Sequence, residues 1–147
     1  PSIDDRYSET AIGAHNGREW EAEVVDSAEE VDEGIEDDVV AFDEANFFSD
    51  ELVEIGGRLA DRGVRVIVSG LDTDFRGRPF NPVHSIIARA EYVDKLKAIC
   101  VKCGDPATRT QRIIDGVPAH EDDPTIVVGA DEKYEARCRS CHELKTE

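Results

Sequence analysis

The chain of 147 residues has no methionine, one tryptophan and three tyrosines, and its first lysine is Lys95. Bases are scarce throughout. There are 34 Asp plus Glu against 17 Lys plus Arg, a formal charge of −17. Residues 1–51 hold 18 of those acids and only two bases, Arg6 and Arg18. A field of that sign repels phosphate backbones at long range, which argues against nucleic acid as a partner. Carboxylates in this excess fit a protein kept in solution in concentrated salt, which also screens their mutual repulsion. No apolar run reaches the roughly 18 residues that a membrane-crossing helix needs, and no signal-peptide pattern occurs. A cytoplasmic protein without a membrane partner is expected. The apolar runs downstream of the acidic region argue against disorder for most of the chain.

The stretch DVVAFDEANFF, Asp38 to Phe48, stands at the centre of the pattern. Val39 to Phe42 is β-branched and aromatic and too short to favour a helix, so it reads as a buried parallel strand. It stops at two acids, Asp43 and Glu44. Open α/β sheets bind ligands at the carboxyl ends of such strands. An apolar strand ending in Asp beside a second acid is also the arrangement that helps hold Mg²⁺ on a nucleotide. Acids commonly end strands and begin loops, so the pattern alone does not decide between the two readings.

In chain order, residues 1–17 read as a loop, Glu19 to Val25 as a strand, and Ser27 to Gly34 as a short acidic helix capped by Ser27. Ser49 is placed to cap the next helix, with Asp50 and Glu51 in its first turn. Leu52, Ile55 and Leu59 share one face of that helix, and Gly63 supplies its stop. Val64 to Gly70 is a second buried strand. Strand, helix and strand make a βαβ unit and so a parallel sheet. Leu71 to Pro82 is a loop at the carboxyl end of the second strand, carrying Asp72, Asp74, Phe75 and Phe80. Its phenylalanines either tuck onto the core or offer a stacking surface for a base. Val83 to Ala90 reads as a helix and Val93 to Val101 as a strand. Ala107 to Ile114 and Thr125 to Ala130 read as two further strands joined by an acidic, proline-containing turn.

All four cysteines fall in two CxxC pairs, Cys100/Cys103 and Cys138/Cys141. Each pair supplies two thiolates from one turn, and tetrahedral zinc takes four. In a chain that reads as cytoplasmic, structural zinc is favoured over disulfides or a redox CxxC. His142 abuts the second pair as a candidate substitute ligand. Four thiolates leave no open position, so this zinc clamps and does not catalyse.

The motifs IDDRYS (from Ile3), FDEANFF, VIVSGLDTDFRGRPF, LKAICVKCG, TRTQR and IVVGADEKYEARCRSC, in that order, resemble the type II thymidine kinase family. The resemblance spans nearly the whole chain. It implies an α/β fold with a P-loop NTPase (RecA-like) parallel sheet, here lacking its P-loop unit, over residues 1–95. It also implies a small zinc-binding lasso domain over residues 96–147. It implies transfer of the ATP γ-phosphate to deoxythymidine, with Mg²⁺ accompanying ATP, structural zinc and a homotetramer. By match to the family, Glu44 is the general base, Asp43 the acid near Mg²⁺, and Asp4 and Arg6 the pair near the phosphates. Asn46 stands in the same nucleotide-binding group, where many relatives carry Gln. Leu71, Phe75 and Phe80 wall the thymine pocket. Thr110, Thr125, Ile126, Val127, Val128, Gly129 and Tyr134 belong to the loop that closes over the nucleoside.

The family's phosphate-cradling GxxxxGK[ST] occurs nowhere in these 147 residues. The expectation is a chain shortened at its start and, as written, with little or no turnover. A non-catalytic remnant that binds nucleoside or pairs with kinase subunits is the second expectation. A zinc-ribbon module for nucleic acid is the third, opposed by the charge.

Overall fold

The computed structural model describes residues 11–13, 17–25, 27–32, 35–126 and 132–146. The chain divides into two compact units. One comprises Pro1–Leu71 with Asn81–Ala88, and the other Asp72–Phe80 with Arg89–Glu147. The fold is mixed α/β, with parallel strands in the first unit and antiparallel strands in both.

The first unit opens with an antiparallel pair, β1 (Ala11–Gly13) and β2 (Glu19–Glu21). The sequence reading placed the first of these in a loop and carried the second on to Val25, but pairing stops at Glu21. A single helical turn follows, α1 (Glu29–Asp32), shorter than the segment expected from Ser27. β3 (Val39–Phe42) then pairs in parallel with β4 (Arg65–Val68), joined through α2 (Glu51–Asp61). This is the expected βαβ unit. Both strands were expected to be buried, yet among the described residues only one face is covered. Val40 and Phe42 lie opposite Val66 and Val68 and pack into the core. Val39, Ala41, Arg65 and Ile67 share the other face and are exposed.

α2 turns Leu52, Ile55 and Leu59 inward, each almost wholly buried, as the 3.6-residue period requires. They meet Ala28, Phe42, Ala45, Phe48 and Val83, the last from α3 (Val83–Arg89). Phe42 and Phe48 pack edge to face at 6.0 Å between ring centres. The Ser49 cap is not formed. The helix starts from Asp50 without a side-chain cap. The Ser49 hydroxyl serves Glu51 instead and, with the backbone N–H of Glu51, holds that acid below the usual carboxylate range. At the other end Gly63 takes φ +90°. Its N–H donates to Ala60 O at 2.9 Å, and the Val64 N–H donates to Leu59 O at 3.1 Å. Those two bonds are a Schellman stop.

In the second unit, β5 (Ala98–Ile99) pairs with β6 (Pro106–Ala107), and β7 (Arg109–Ile114) lies between β8 (Val117–Pro118) and β9 (Glu132–Arg137). The strand expected over residues 93–101 is only two residues long, and Tyr92 and Leu96 before it are exposed. The partner strand expected at 125–130 is described only at its first two residues. Thr125 and Ile126 are not strand, 127–131 lie outside the described residues, and β9 pairs with β7 along its whole length. β7 and β8 are joined by Asp115-Gly116, both with positive φ, a two-residue hairpin turn matched to strand twist.

Leu59→Ala is expected to lower the stability of the first unit by about 2–5 kcal/mol, because a wholly buried side chain leaves a cavity. An unshifted denaturation midpoint in urea would show that α2 does not seat this core.

Candidate functional site

β3 ends at Phe42, and the backbone ladder to β4 continues past both strands. The Ser69 N–H donates to Phe42 O at 2.9 Å, and the Ala45 N–H donates to Ser69 O at 2.9 Å. Between these rungs the chain turns sharply. Glu44 takes φ 51° and ψ 43°, left-handed for a residue with a side chain, and a turn of 3₁₀ helix follows at Ala45–Phe47. The Ser69 hydroxyl donates to the Asp43 carboxylate. Asn46, buried, accepts the Leu71 N–H on Oδ1 at 3.1 Å. The expected nucleotide residues Asp43, Glu44 and Asn46 and the expected substrate residue Leu71 are thus gathered at the carboxyl ends of two parallel strands. Asp4 and Arg6 lie outside the described residues.

Gly70 permits this crossing. A Cβ there would stand 2.9 Å from Val83 Cγ2, 3.1 Å from Ala45 N and 3.2 Å from Asn46 Oδ1.

The loop after β4 belongs to the second unit from Asp72 onward and folds as a small hairpin. Thr73 bridges to Pro79, and the Phe80 N–H donates to Asp72 O at 2.9 Å. Asp74 sits inside it, accepting the N–H groups of Arg76 and Arg78 on Oδ1 and Arg76 Nη1 on Oδ2, each at 2.9 Å. Phe75 is 3% exposed, with the Arg76 guanidinium 4.2 Å and the Arg112 guanidinium 5.1 Å from its ring centre. Phe80 is half-buried. The Arg76 fork reaches the segment after β8, donating to Glu121 O at 2.6 Å, to Thr125 Oγ1 at 3.0 Å and to Asp123 O. Arg112 donates to Pro124 O at 2.5 Å. Thr110 is half-buried on β7, Tyr134 half-exposed on β9, and Ile126 exposed. Val127, Val128 and Gly129 are outside the described residues.

The four cysteine sulfurs lie within 4.8 Å of one another, and Cys103 Sγ and Cys138 Sγ are 3.6 Å apart. A disulfide requires about 2.05 Å. Tetrahedral zinc with bonds of about 2.3 Å sets its sulfurs about 3.8 Å apart, so the cluster fits the metal. Each CxxC forms a tight turn. Gly104, at φ +81°, donates to Cys100 O at 2.9 Å, and the Cys141 N–H donates to Cys138 O at 3.1 Å. Burial opposes a thiolate at Cys100, yet hydrogen bonds from the backbone of Cys138, Cys103 and Lys102 bring it down to about 6. At Cys103 the backbone of Asp105 favours the thiolate, but the Cys100 sulfur, burial and the other two thiols push it up to about 12. His142, the candidate substitute ligand, is not part of the four-sulfur cluster, and its Nε2 faces Phe75 O at 2.7 Å.

The family model for thymidine kinase matches residues 1–142. The chain belongs to the thymidine kinase family. Similar proteins include the thymidine kinases of two Halobacterium salinarum strains, each 55% identical over all of this chain and 78% of the relative. The thymidine kinase of Haloquadratum walsbyi is 50% identical over all of this chain and 81% of its own length.

Sequence reasoning missed the polar interior of the second unit. Gln111 is buried and holds Glu143 from both sides, with Nε2 on its carbonyl and Oε1 on its N–H, both at 2.8 Å. Arg76, Arg112 and Asp74 were likewise not singled out for burial. Nothing in one dimension marks an arginine as buried, since most are exposed. The one available signal was the run of arginines without lysine before Lys95, for arginine is the cation suited to enclosed forks.

Gly70→Ala is expected to cost about 1–3 kcal/mol and to loosen the Asn46–Leu71 bond, read as a lower melting temperature. Removal of metal by a strong chelator is expected to increase protease sensitivity in β5–β6 and β9, with zinc restoring resistance. Protection that ignores the chelator would rule out a metal clamp.

Proposed function

We propose that this chain carries the proton-abstracting and nucleoside-binding parts of an enzyme that moves the γ-phosphate of ATP to the 5′-hydroxyl of deoxythymidine, giving dTMP and ADP. The observation that supports this most is Glu44, a carboxylate residue held in the left-handed region at the carboxyl end of a parallel strand. Such a backbone costs of order 1–3 kcal/mol and clusters where a side chain must be aimed. Glu44 accepts the proton of the 5′-hydroxyl as the oxygen attacks phosphorus. Asp43, steadied by the Ser69 hydroxyl, offers its carboxylate toward Mg²⁺ carried in with ATP. Mg²⁺, when bound, neutralises charge building on the phosphates. Asp4 and Arg6 serve the phosphates, and Asn46 fixes the Leu71 backbone beside them.

On the nucleoside side, Leu71, Phe75 and Phe80 bound the base. Thr110, Thr125 to Gly129 and Tyr134 form the segment that covers it. Zinc on Cys100, Cys103, Cys138 and Cys141 holds the base of that segment. The reading extends to a RecA-like core in residues 1–95, a zinc-containing lasso domain in 96–147, a homotetramer and a cytoplasmic site of action. The charge of −17 and the Halobacterium relatives support work in concentrated salt.

The test is Mg²⁺- and ATP-dependent phosphorylation of thymidine in concentrated salt, by the 147-residue chain and by the longest reading frame that contains it. Turnover is expected where a phosphate cradle is present, and Glu44→Gln in that form is expected to lower kcat by at least about 10²-fold. Inactivity of both forms, folded and zinc-loaded, would sink the kinase reading. An active Glu44→Gln variant would sink the assignment of the base.

A further inference from the structure

The Arg76 guanidinium is almost enclosed, its side chain 9% exposed. All three of its nitrogens are spent on fixed partners within the second unit. Nε takes Glu121 O, Nη2 takes Asp123 O, and Nη1 divides between Thr125 Oγ1 and Asp74 Oδ2. The contacts fall on alternate residues, 121, 123 and 125, so one planar fork tracks five residues of chain. Arg112 takes the residue between, Pro124, by its carbonyl. Asp74 in turn is aimed by two backbone N–H groups of its own hairpin. The far end of that hairpin is pinned by Arg109 Nη1 on Gly77 O at 3.0 Å, where a Cβ on Gly77 would stand 2.0 Å from the same nitrogen.

Such a fork cannot be replaced by a point charge. A lysine ammonium can serve one or two of these acceptors, but it lacks the planar spread needed to reach carbonyls two residues apart together with a hydroxyl. Buried charge-assisted bonds of this kind also set geometry more tightly than neutral ones. The segment that Arg76 tracks leads directly into Thr125 and Ile126, which the proposed function gives to the nucleoside.

We propose that Arg76 is a positioning residue for nucleoside binding: from the 72–80 hairpin it fixes the backbone of Glu121–Thr125, so that Thr125 and Ile126 are presented in one arrangement. This rests on the thymidine reading given above for the ligand, but the fixing of the segment is separately measurable.

The experiment uses the zinc-loaded chain in concentrated salt and compares it with Arg76→Lys. Thymidine affinity is measured by calorimetry, backbone exchange by mass spectrometry, and zinc content by a colorimetric chelator. In the variant, thymidine is expected to bind at least about tenfold more weakly. Exchange across 121–126 is expected to accelerate by about tenfold or more, with zinc content and protection of β7 and β9 unchanged. Affinity within twofold of the parent, or unchanged exchange across 121–126, overturns the proposal. Loss of zinc or of β7–β9 protection together with affinity also overturns it, by making Arg76 a support of the whole unit. If Arg76→Lys does not fold, Thr125→Val decides by exchange alone. It removes one prong, so faster exchange confined to residues 123–126 supports the fork and unchanged exchange overturns it. If the parent chain binds no thymidine, the functional reading fails, and the exchange data still decide whether Arg76 holds the segment.

Discussion

The chemistry assigned to the first unit depends on a parallel ladder that runs past its own strands. β3 and β4 pair over four residues each, and the rung from Ala45 to Ser69 carries the pairing beyond the tight turn at Glu44. Without that rung nothing would oblige a glutamate to stay left-handed, since the extended and right-handed regions cost less. Gly70 makes the rung possible by bringing backbone against backbone where a methyl group would collide. Asp43, Glu44, Asn46 and Leu71 therefore take their places from main-chain bonding, the Ser69 hydroxyl, the Asn46 amide and one absent side chain. The aliphatic core beneath them, from Leu52, Ile55 and Leu59, supplies the rigidity that lets a strained residue persist.

The second unit is built by other means. Among the described residues its apolar cluster is small, Cys100, Ala107 and Cys138 with Ala136 and Cys141 beside them. A unit of this size cannot bury enough hydrocarbon to hold itself, and small domains then turn to metals or covalent links. Here the buried sulfurs of Cys100 and Cys138, the Arg76 and Arg112 guanidiniums and the Gln111 amide occupy the places that leucines fill elsewhere. Each buried polar group is costly unless satisfied, and each of these forms hydrogen bonds or a metal-competent cluster. Such an interior is specific in geometry, which suits a unit that must present a loop.

Patterns with a physical period were legible in the sequence. The helix face at Leu52, Ile55 and Leu59, the stop at Gly63, the strand at Val39–Phe42 and the clustering of the cysteines follow from spacing and residue type, and the structure contains all four. What failed was pairing at a distance. The partner of β7 was sought in the apolar run at Thr125, but the chain uses Glu132–Arg137, whose charged alternation gives a weaker signal. Burial of β3 and β4 was inferred from continuous apolar sequence, yet composition reports what a face can bury and not what covers it. The candidate site was legible mainly through its motifs. Its acids could be named, whereas the arginines that hold the neighbouring segment could not, because an arginine in a polar loop reads the same whether enclosed or exposed.

Backbone recognition within the second unit has a consequence for how its sequence can vary. The Arg76 and Arg112 forks grip carbonyl oxygens of Glu121, Asp123 and Pro124, groups that every residue type possesses. Substitution at Glu121 therefore leaves its grip intact, while inserting or deleting one residue between 121 and 125 would slide every carbonyl out of register. The segment is constrained in length and, where only a carbonyl is gripped as at Glu121, relaxed in composition, while the Thr125 hydroxyl and the Asp123 carboxylate keep their own partners.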